Sequence, residues 1–542
     1  NTGTITATAG STDSDVSANG IDIGGALNGT INNSGTISAT ATSEDDDAVA
    51  YGIYVDEGVG EDGLIDVSGL IKATAETTSD SASAYGIFVH NDMDGTITVS
   101  GTIEAQADNS SSEYNAYAAG IYIEQDYVYL GSTTSGSSIY GYVGGNVDGT
   151  ITVTSTGVID VYAENYSSSD ATAVGIFVEG DVSGTIENHG LITVEAYGYS
   201  GYAEAVGISV QGAVDGSITN SGTIDVYAHS SSSSALAYGI YAGSVGVDGT
   251  VTNSGQIEVY AGSTSGSDYA VGVYLDDMAG HFINTGSIVA SENSNLGTAI
   301  YVNGDGGLVT LNTSGFIEGD IELDGDIYLN VQGDVGRSVH WTVDASEATE
   351  GTYYTNDEGY LGTTVFVREN SDSGTVEFAT LDSSGLAAVR QAGADAGFIG
   401  LDALLSQTRN AAAKPVQVTN GNGGGNTFMP FVAAATKSVT YGDSDTMLDQ
   451  DITTSSLSFG GTMAMDSGLS FGLGAGMMTG TATVDYIDGP SSETDQQGAF
   501  IGLAMGGSSA NLNFAGAISG GRIQFDNTRY VNDNTEVGGI AI

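Results

Sequence analysis

Residues 50–55 read Ala-Tyr-Gly-Ile-Tyr-Val, and variants of this motif return along the chain with a Gly at positions 20, 52, 86, 120, 175, 207, 239 and 272. Successive glycines are 32 to 34 residues apart, except for one interval of 55 that holds a Tyr-, Ser- and Gly-rich insertion near 125–146. Self-similarity at such a period marks a solenoid, whose units cannot bury an apolar side alone and must stack.

Each unit carries three short apolar segments. Segment A holds Ile21, Ile53, Ile87, Ile121, Ile176, Ile208, Ile240, Val273 and Ile300. Segment B, usually Gly-Thr-Ile, holds Ile31, Ile65, Ile97, Ile151, Ile186, Ile218, Val251 and Phe282. Segment C holds Ile5, Ile37, Ile71, Ile103, Ile159, Ile192, Ile224, Ile257 and Ile288. These segments are too short for helices and alternate with period two, as in Ile224-Asp225-Val226-Tyr227-Ala228, which sends Ile, Val and Ala inward. Three strands per unit at constant spacing predict an all-β fold: a right-handed, three-sided parallel β-helix over residues 1–303, with Ile above Ile at roughly 4.8 Å. Asn33, Asn188, Asn220 and Asn253 fall two positions after the B residue, and an inward Asn there is expected to satisfy backbone groups of neighbouring rungs.

Composition agrees with such an array. There are 82 Gly, no Cys and only 3 Pro, none before Pro415, so no missing N–H interrupts the ladders of the repeat region. The 9 Lys+Arg against 68 Asp+Glu give a formal charge of −59, and Lys72 is the only cationic residue before Arg337. Nucleic acid is excluded as a partner, because phosphate binding needs clustered cations. Anionic polysaccharides and lipids are disfavoured for the same reason. The absence of Cys excludes disulfide scaffolds and thiolate metal sites, and no apolar run is long enough for a membrane-spanning helix. Asn1 opens inside a repeat without an initiating Met or signal peptide, so upstream sequence is expected.

After the repeats, 304–382 is irregular and Gly-rich with the single Trp in Val339-His340-Trp341-Thr342, and is expected to close the solenoid's open end. Residues 383–425 contain an Ala-rich helical pattern (Leu386, Val389, Ala392, Ala396, Ile399, Ala403, Leu404) and the link Asn420–Gly425. From 426 to 542 longer alternating strands, such as Leu469 to Val484, fit part of an antiparallel outer-membrane β-barrel. A sixth strand is expected to begin before Ile542, with the remaining strands lying beyond it.

The order of parts, a Gly-Thr-Ile-rich solenoid, a closing segment, an Ala-rich helix and a Phe428-Met429-Pro430-Phe431-led barrel start, resembles autotransporters with a pertactin-like passenger. The resemblance covers nearly the whole chain. It implies outer-membrane insertion of the carboxyl-terminal domain by the barrel-assembly machinery, the helix in the barrel lumen, and an extracellular passenger at the cell surface. Whether the passenger is cleaved near 406–425 is left open.

No catalytic constellation is legible, and a non-enzymatic chain is expected. His90, His189, His229, His281 and His340 lie in different units without metal-ligand spacing. Two files of residues stand out instead. One position after the A residue come Tyr54, Phe88, Tyr122, Phe177, Tyr241, Tyr274 and Tyr301, interrupted by Ser209, with outward parity. Their ordinary role is to stack on one another; their functional role would be contact with sugar rings or a partner's surface. Asp62, Asp94, Asp148, Asp215 and Asp248 each precede a Gly in the turn before segment B. Asp-Gly serves turns by itself, and weak Ca²⁺ binding is the metal reading of the same column. The functional expectation is an adhesive or self-associating surface rod whose partners are a glycan, a host surface or a sister cell. The alternatives are a glycan-active hydrolase on the β-helix and a secretion scaffold for an effector domain upstream.

Overall fold

The structure, a computed structural model, describes residues 1–111, 113–132, 138–293, 295–333, 338–345, 353–356, 365–370, 374–380, 401–402, 404–410, 427–441, 450–465, 467–484, 492–509, 512–528, 530–536 and 540–541. Each of the three segments forms a strand that pairs in parallel with its counterpart in the next unit. The C strands run from Thr4–Ser11 to Ser287–Glu292 and bring Ile5, Ile37, Ile71, Ile103, Ile159, Ile192, Ile224, Ile257, Ile288 and Ile317 into one column. On side A, Ile53, Ile87, Ile121, Ile176, Ile208 and Ile240 are likewise in register, as are Ile65, Ile97, Ile151, Ile186 and Ile218 on side B. Apart from the half-buried Ile5 of the first rung, these isoleucines are fully buried, each contributing roughly 1.5–3 kcal/mol by removal from water. The result is a parallel β-solenoid of about nine turns. A further inward column, Leu27, Val59, Met93, Val147, Val182 and Val214, lies in sequence between segments A and B and is linked rung to rung by single bridges.

Segment A does not keep period two throughout. Ala48 and Ala50 face inward and so do Ile53 and Val55, so the parity reverses at Gly52, which the register skips between Tyr51↔Tyr85 and Ile53↔Ile87. A Cβ on Gly52 would overlap Ile71 Cγ2 and stand 2.5 Å from the Gly86 carbonyl oxygen. Only glycine admits that approach. Consequently Tyr51 and Tyr54, three residues apart, both leave the core.

Side B holds a buried amide ladder. Asn188 Nδ2 donates to Asn220 Oδ1, Asn220 to Asn253 and Asn253 to Asn284, each at 2.8 Å. Asn284 extends the set expected from sequence. Earlier rungs put Val67, Val99 and Val153 in the same column, and Asn33 instead donates to the Leu70 carbonyl. The insertion forms an antiparallel hairpin, Asp126–Ser132 with Ser138–Val143.

The winding continues past residue 303. Thr298–Asn312 pairs in parallel with Asp320–Gln332, which pairs in turn with Tyr353–Asn356. Ser338–Asp344 then pairs antiparallel with Thr375–Thr380, itself antiparallel to Val365–Asn370, and Trp341 and Phe378 are fully buried there. Of the expected helix, residues 401–402 and 404–410 are helical; its amino-terminal half and the Gly-rich link lie outside the described residues. Among the described residues no helix is long and apolar enough to cross a membrane.

The carboxyl-terminal part is a five-stranded antiparallel sheet of Thr427–Tyr441, Gln450–Ala464, Leu469–Val484, Ser492–Ser509 and Leu512–Thr528. The expectation of a sixth strand at the end of the sequence is corrected. Tyr530–Asp533 does not extend this sheet; it pairs in parallel with Ser338–Asp344 at the solenoid's end and antiparallel with Ile540–Ala541. Its backbone, the buried Asn532 side chain and that of Asn534 just beyond it find their partners there.

Candidate functional site

The register of side A stacks the aromatic file in two runs. In the first, Tyr54 and Phe88 are 5.5 Å apart between ring centroids, Phe88 and Tyr122 5.3 Å, and Tyr122 and Phe177 4.8 Å, all with interplanar angles of 23° or less. In the second, Tyr241 and Tyr274 are 5.2 Å apart and Tyr274 and Tyr301 4.7 Å. The buried Ser209 separates the runs. Because the rings lie nearly parallel and one rung apart, their faces are taken up by each other, and solvent meets edges and hydroxyls.

The parity reversal at the glycines adds a second file that period-two reasoning misses. Tyr51 and Tyr85 stack at 5.2 Å and set their edges against Tyr54 and Phe88, while Tyr117 meets Tyr122 edge-on. Tyr238 plays this part beside Tyr241 and Tyr274. Side C carries a third group, Tyr162, Tyr197, Tyr227 and Tyr260.

Carboxylates edge these rings. The Tyr54 hydroxyl donates to Asp56 at 3.0 Å, Tyr122 to Glu179 at 2.6 Å and Tyr301 to Asp324 at 3.0 Å. Glu179 also accepts from the Gln125 amide at 2.9 Å, at the foot of the hairpin. Burial pushes the Tyr51 phenol up to about 12; burial, then hydrogen bonds to carboxylates, raise Tyr54, Tyr122 and Tyr301. Glu124 is raised, chiefly by burial. The patch therefore holds protonated phenols as donors and carboxylates as acceptors, and its first run lies directly beside a tyrosine-rich hairpin.

The histidines do not converge on one another. His90 sits 3.7 Å from Asp56, 3.9 Å from Glu124 and 3.8 Å from Asp126; His189 meets Ser221 at 2.6 Å; His340 meets Asp533 at 2.7 Å. Asp62, Asp94, Asp148, Asp215 and Asp248 are all exposed, but only Asp94, Asp148 and Asp215 hold equivalent places, their amides donating to the carbonyls of Val59, Met93 and Val182; Gly60 and Gly246 hold that place in the rungs of Asp62 and Asp248. Ser183 stands between Asp148 and Asp215 and donates to Asp148. One carboxylate per rung makes a file and not a cage, and among the described residues no three His, Asp or Glu side chains gather where they could hold a metal ion.

The model of the BigA third pectate lyase-like domain matches residues 1–286. The chain belongs to that family. The match takes in the rungs from the first C strand to the last member of the asparagine ladder, and the aromatic file from Tyr54 to Tyr274 lies inside it; Tyr301 and the carboxyl-terminal sheet lie beyond it. No curated protein and no solved structure matches the chain.

Proposed function

We propose that this chain is part of an autotransporter surface protein, in which the BigA-type solenoid is displayed outside a Gram-negative cell as an adhesive or self-associating rod and the carboxyl-terminal sheet is part of the outer-membrane translocator. The observation that carries the reading is the polarity of that sheet. Phe428, Val432, Leu457, Phe459, Leu473, Met477, Ile501, Leu503 and Ile518 are exposed on one face, whereas Thr454, Ser456, Ser458, Ser470, Thr494 and Gln496 are buried on the other. A protein surrounded by water has the reverse arrangement; a barrel wall in lipid has this one.

The helix at 401–410 lies on the polar face. Thr408 accepts from Ser470 Oγ through its carbonyl at 3.1 Å, and Cβ atoms on Gly474 and Gly502 would press on Leu404. Residues 465–468 and 510–511 are the short connections at one end of the sheet, and 442–449 and 485–491 the longer ones at the other. Thr408 is near the short-connection end and Leu404 further in, so the helix directs its amino-terminal end towards the long-connection end. Outer-membrane barrels keep short turns inside and long loops outside, which supports an external solenoid.

The solenoid's own surface favours adhesion over catalysis. Lys72, the only cation before Arg337, is ion-paired with Glu104 at 2.9 Å and is therefore ill suited as the free base that sugar elimination needs. Outward phenols, carboxylates and serine loops offer a hydrogen-bonding surface for a neutral glycan, a host protein or a second cell. Protease treatment of intact cells expressing the complete reading frame tests the display. Solenoid fragments should disappear while the sheet stays in the outer-membrane fraction; a solenoid protected until the cells are lysed would end the proposal. Attachment and aggregation assays, set against polysaccharide depolymerisation, separate the adhesive rod from the hydrolase.

A further inference from the structure

The last C strand of the solenoid, Phe316–Glu318, pairs on one side with Ser287–Glu292. Its other side is where a next rung would lie, and an edge there invites wrong pairing. Two buried asparagines from the other end of the sequence occupy that place. Asn532 Oδ1 accepts from the Ile317 amide at 3.1 Å and from Trp341 Nε1 at 2.8 Å, while its Nδ2 donates to the Ile317 carbonyl at 2.8 Å. Asn534 Oδ1 accepts from the Thr342 amide at 2.7 Å, and its Nδ2 donates to the carbonyls of Gly319 at 3.1 Å and Thr342 at 3.0 Å. The Gly319 amide donates to the Asn534 carbonyl at 2.8 Å.

These contacts do for the terminal rung what a further strand would do: the Asn532 side chain gives Ile317 one donor and one acceptor, and Asn534 gives Gly319 a donor from its side chain and an acceptor from its own carbonyl. Asp533, between them, accepts from Thr535 and pairs with His340. Asn532, Asp533 and Asn534 are 6%, 3% and 0% exposed, far below what a loose tail shows. The segment follows directly on the fifth strand of the sheet, Leu512–Thr528, and leaves it at the long-connection end.

We propose that residues 530–536 are an intramolecular end-cap, through which the carboxyl-terminal sheet clamps the solenoid and finishes its last rung, so that the solenoid's end is closed only once the sheet is in place. The contact stands independently of the membrane reading, since it needs only the sheet and the rung.

The test uses the full chain in detergent. In the pair Asn532→Ala with Asn534→Ala, hydrogen exchange at the amides of Ile317 and Thr342, which lose their side-chain acceptors, should quicken by about tenfold or more, with a shift in the emission of Trp341. Amides of Ile218 and Ile224, in mid-solenoid, should be unchanged, and Glu536→Ala should match the parent. Unchanged exchange at both end amides would overturn the cap. Should the pair not fold, Ser338→Cys with Val531→Cys decides. These positions are register partners in a chain with no other Cys, at a spacing a direct disulfide can bridge, so mild oxidation should join them in the folded protein, and failure to join them would overturn the proposal. A joined chain that never reaches a cell surface would leave the cap standing and remove the display reading alone.

Discussion

Asn220 donates its side-chain amide to Asn253 at 2.8 Å inside the solenoid, and both residues are fully buried. Asn220 also donates to the Gln256 carbonyl and accepts from Asn188. Replacing it alone by Val leaves the Asn188 donor without its acceptor in a dry interior, at a cost of roughly 1–3 kcal/mol. Earlier rungs carry Val67, Val99 and Val153 in the same column, so the position itself accepts Val. Changing Asn188, Asn220, Asn253 and Asn284 together to Val should therefore cost less per residue than Asn220→Val alone. Denaturant titration of the single and quadruple variants measures this, and equal costs per residue would refute the ladder as a cooperative unit.

A second prediction concerns the glycine column that reverses the parity of side A. At Gly86 a Cβ would overlap Ile103 and lie 2.6 Å from the Gly120 carbonyl oxygen. Both neighbours are held by their own rungs, so Gly86→Ala should destabilise by about 1–3 kcal/mol, as overpacking does. Gly24, where a Cβ meets nothing within 4 Å, serves as the control, and Gly24→Ala should leave the melting temperature within a degree or two of the parent on the scale of ordinary surface changes, roughly 0.5 kcal/mol.

Burial, reinforced by neighbouring carboxylates, raises Asp94, Asp108, Glu124, Asp160, Glu204, Asp225, Glu292, Asp320 and Glu322 above the ordinary carboxylate range. A raised folded value means that the folded state binds protons the unfolded state has released. The contribution to stability is then complete below the ordinary value near about 4 and is lost as pH rises through the raised values. Asp533 runs the other way: burial pushes it up, but hydrogen bonds from Thr535 and His340 outweigh that and hold it low, so its share is lost only in stronger acid. The melting temperature in low salt should accordingly be higher at mildly acidic pH than at pH 7.5. A melting temperature that falls steadily from neutral pH downward would contradict the assignment.

At the alkaline side the phenols dominate. Tyr51 and Tyr269 are pushed up to about 12 by burial, and Tyr85 and Tyr238 are raised by the same cause. Their stabilisation is present below the ordinary tyrosine value near about 10 and disappears as pH climbs through the raised ones. Absorbance at 295 nm should show these buried, stacked tyrosines ionising only together with loss of the β-sheet circular dichroism signal. A single titration near pH 10 with the sheet signal intact would show that the ladders are not packed as described.

The isoleucine columns are legible in the sequence because their period is fixed by the winding itself, and Ile53, Ile87 and Ile121 stack as that period requires. Tyr51 and Tyr85 are not, because one unpaired glycine turns the alternation over, and alternation carries no mark of where that happens. Asn284 follows Phe282, where the Gly-Thr-Ile signature has dissolved, so only the register reveals it. Ring-face stacking depends on side-chain rotation about a known position, which residue order does not encode. The docking of Asn532 on Ile317 joins residues 215 apart, with no local periodicity to announce it, and a short polar segment after a strand reads as more of the same sheet.

The sheet's outer face gives the sharpest division between surroundings. Leu473 is 54% exposed and Ile501 60%, in adjacent strands of the apolar side. In lipid, Leu473→Arg should cost about 2–4 kcal/mol near the mid-plane, and it should reduce the folded, heat-modifiable form in the outer-membrane fraction while the total amount synthesised stays the same. In water the same change replaces an exposed leucine by a charge, and should be neutral or should improve solubility. Arg at Thr436 or Asp451, towards the long-connection end of the sheet, should be tolerated in either setting, because the strands of 15 residues there exceed the roughly 9–11 that span a bilayer. Equal membrane yields for Leu473→Arg, Asp451→Arg and the parent would mean that this face never meets lipid.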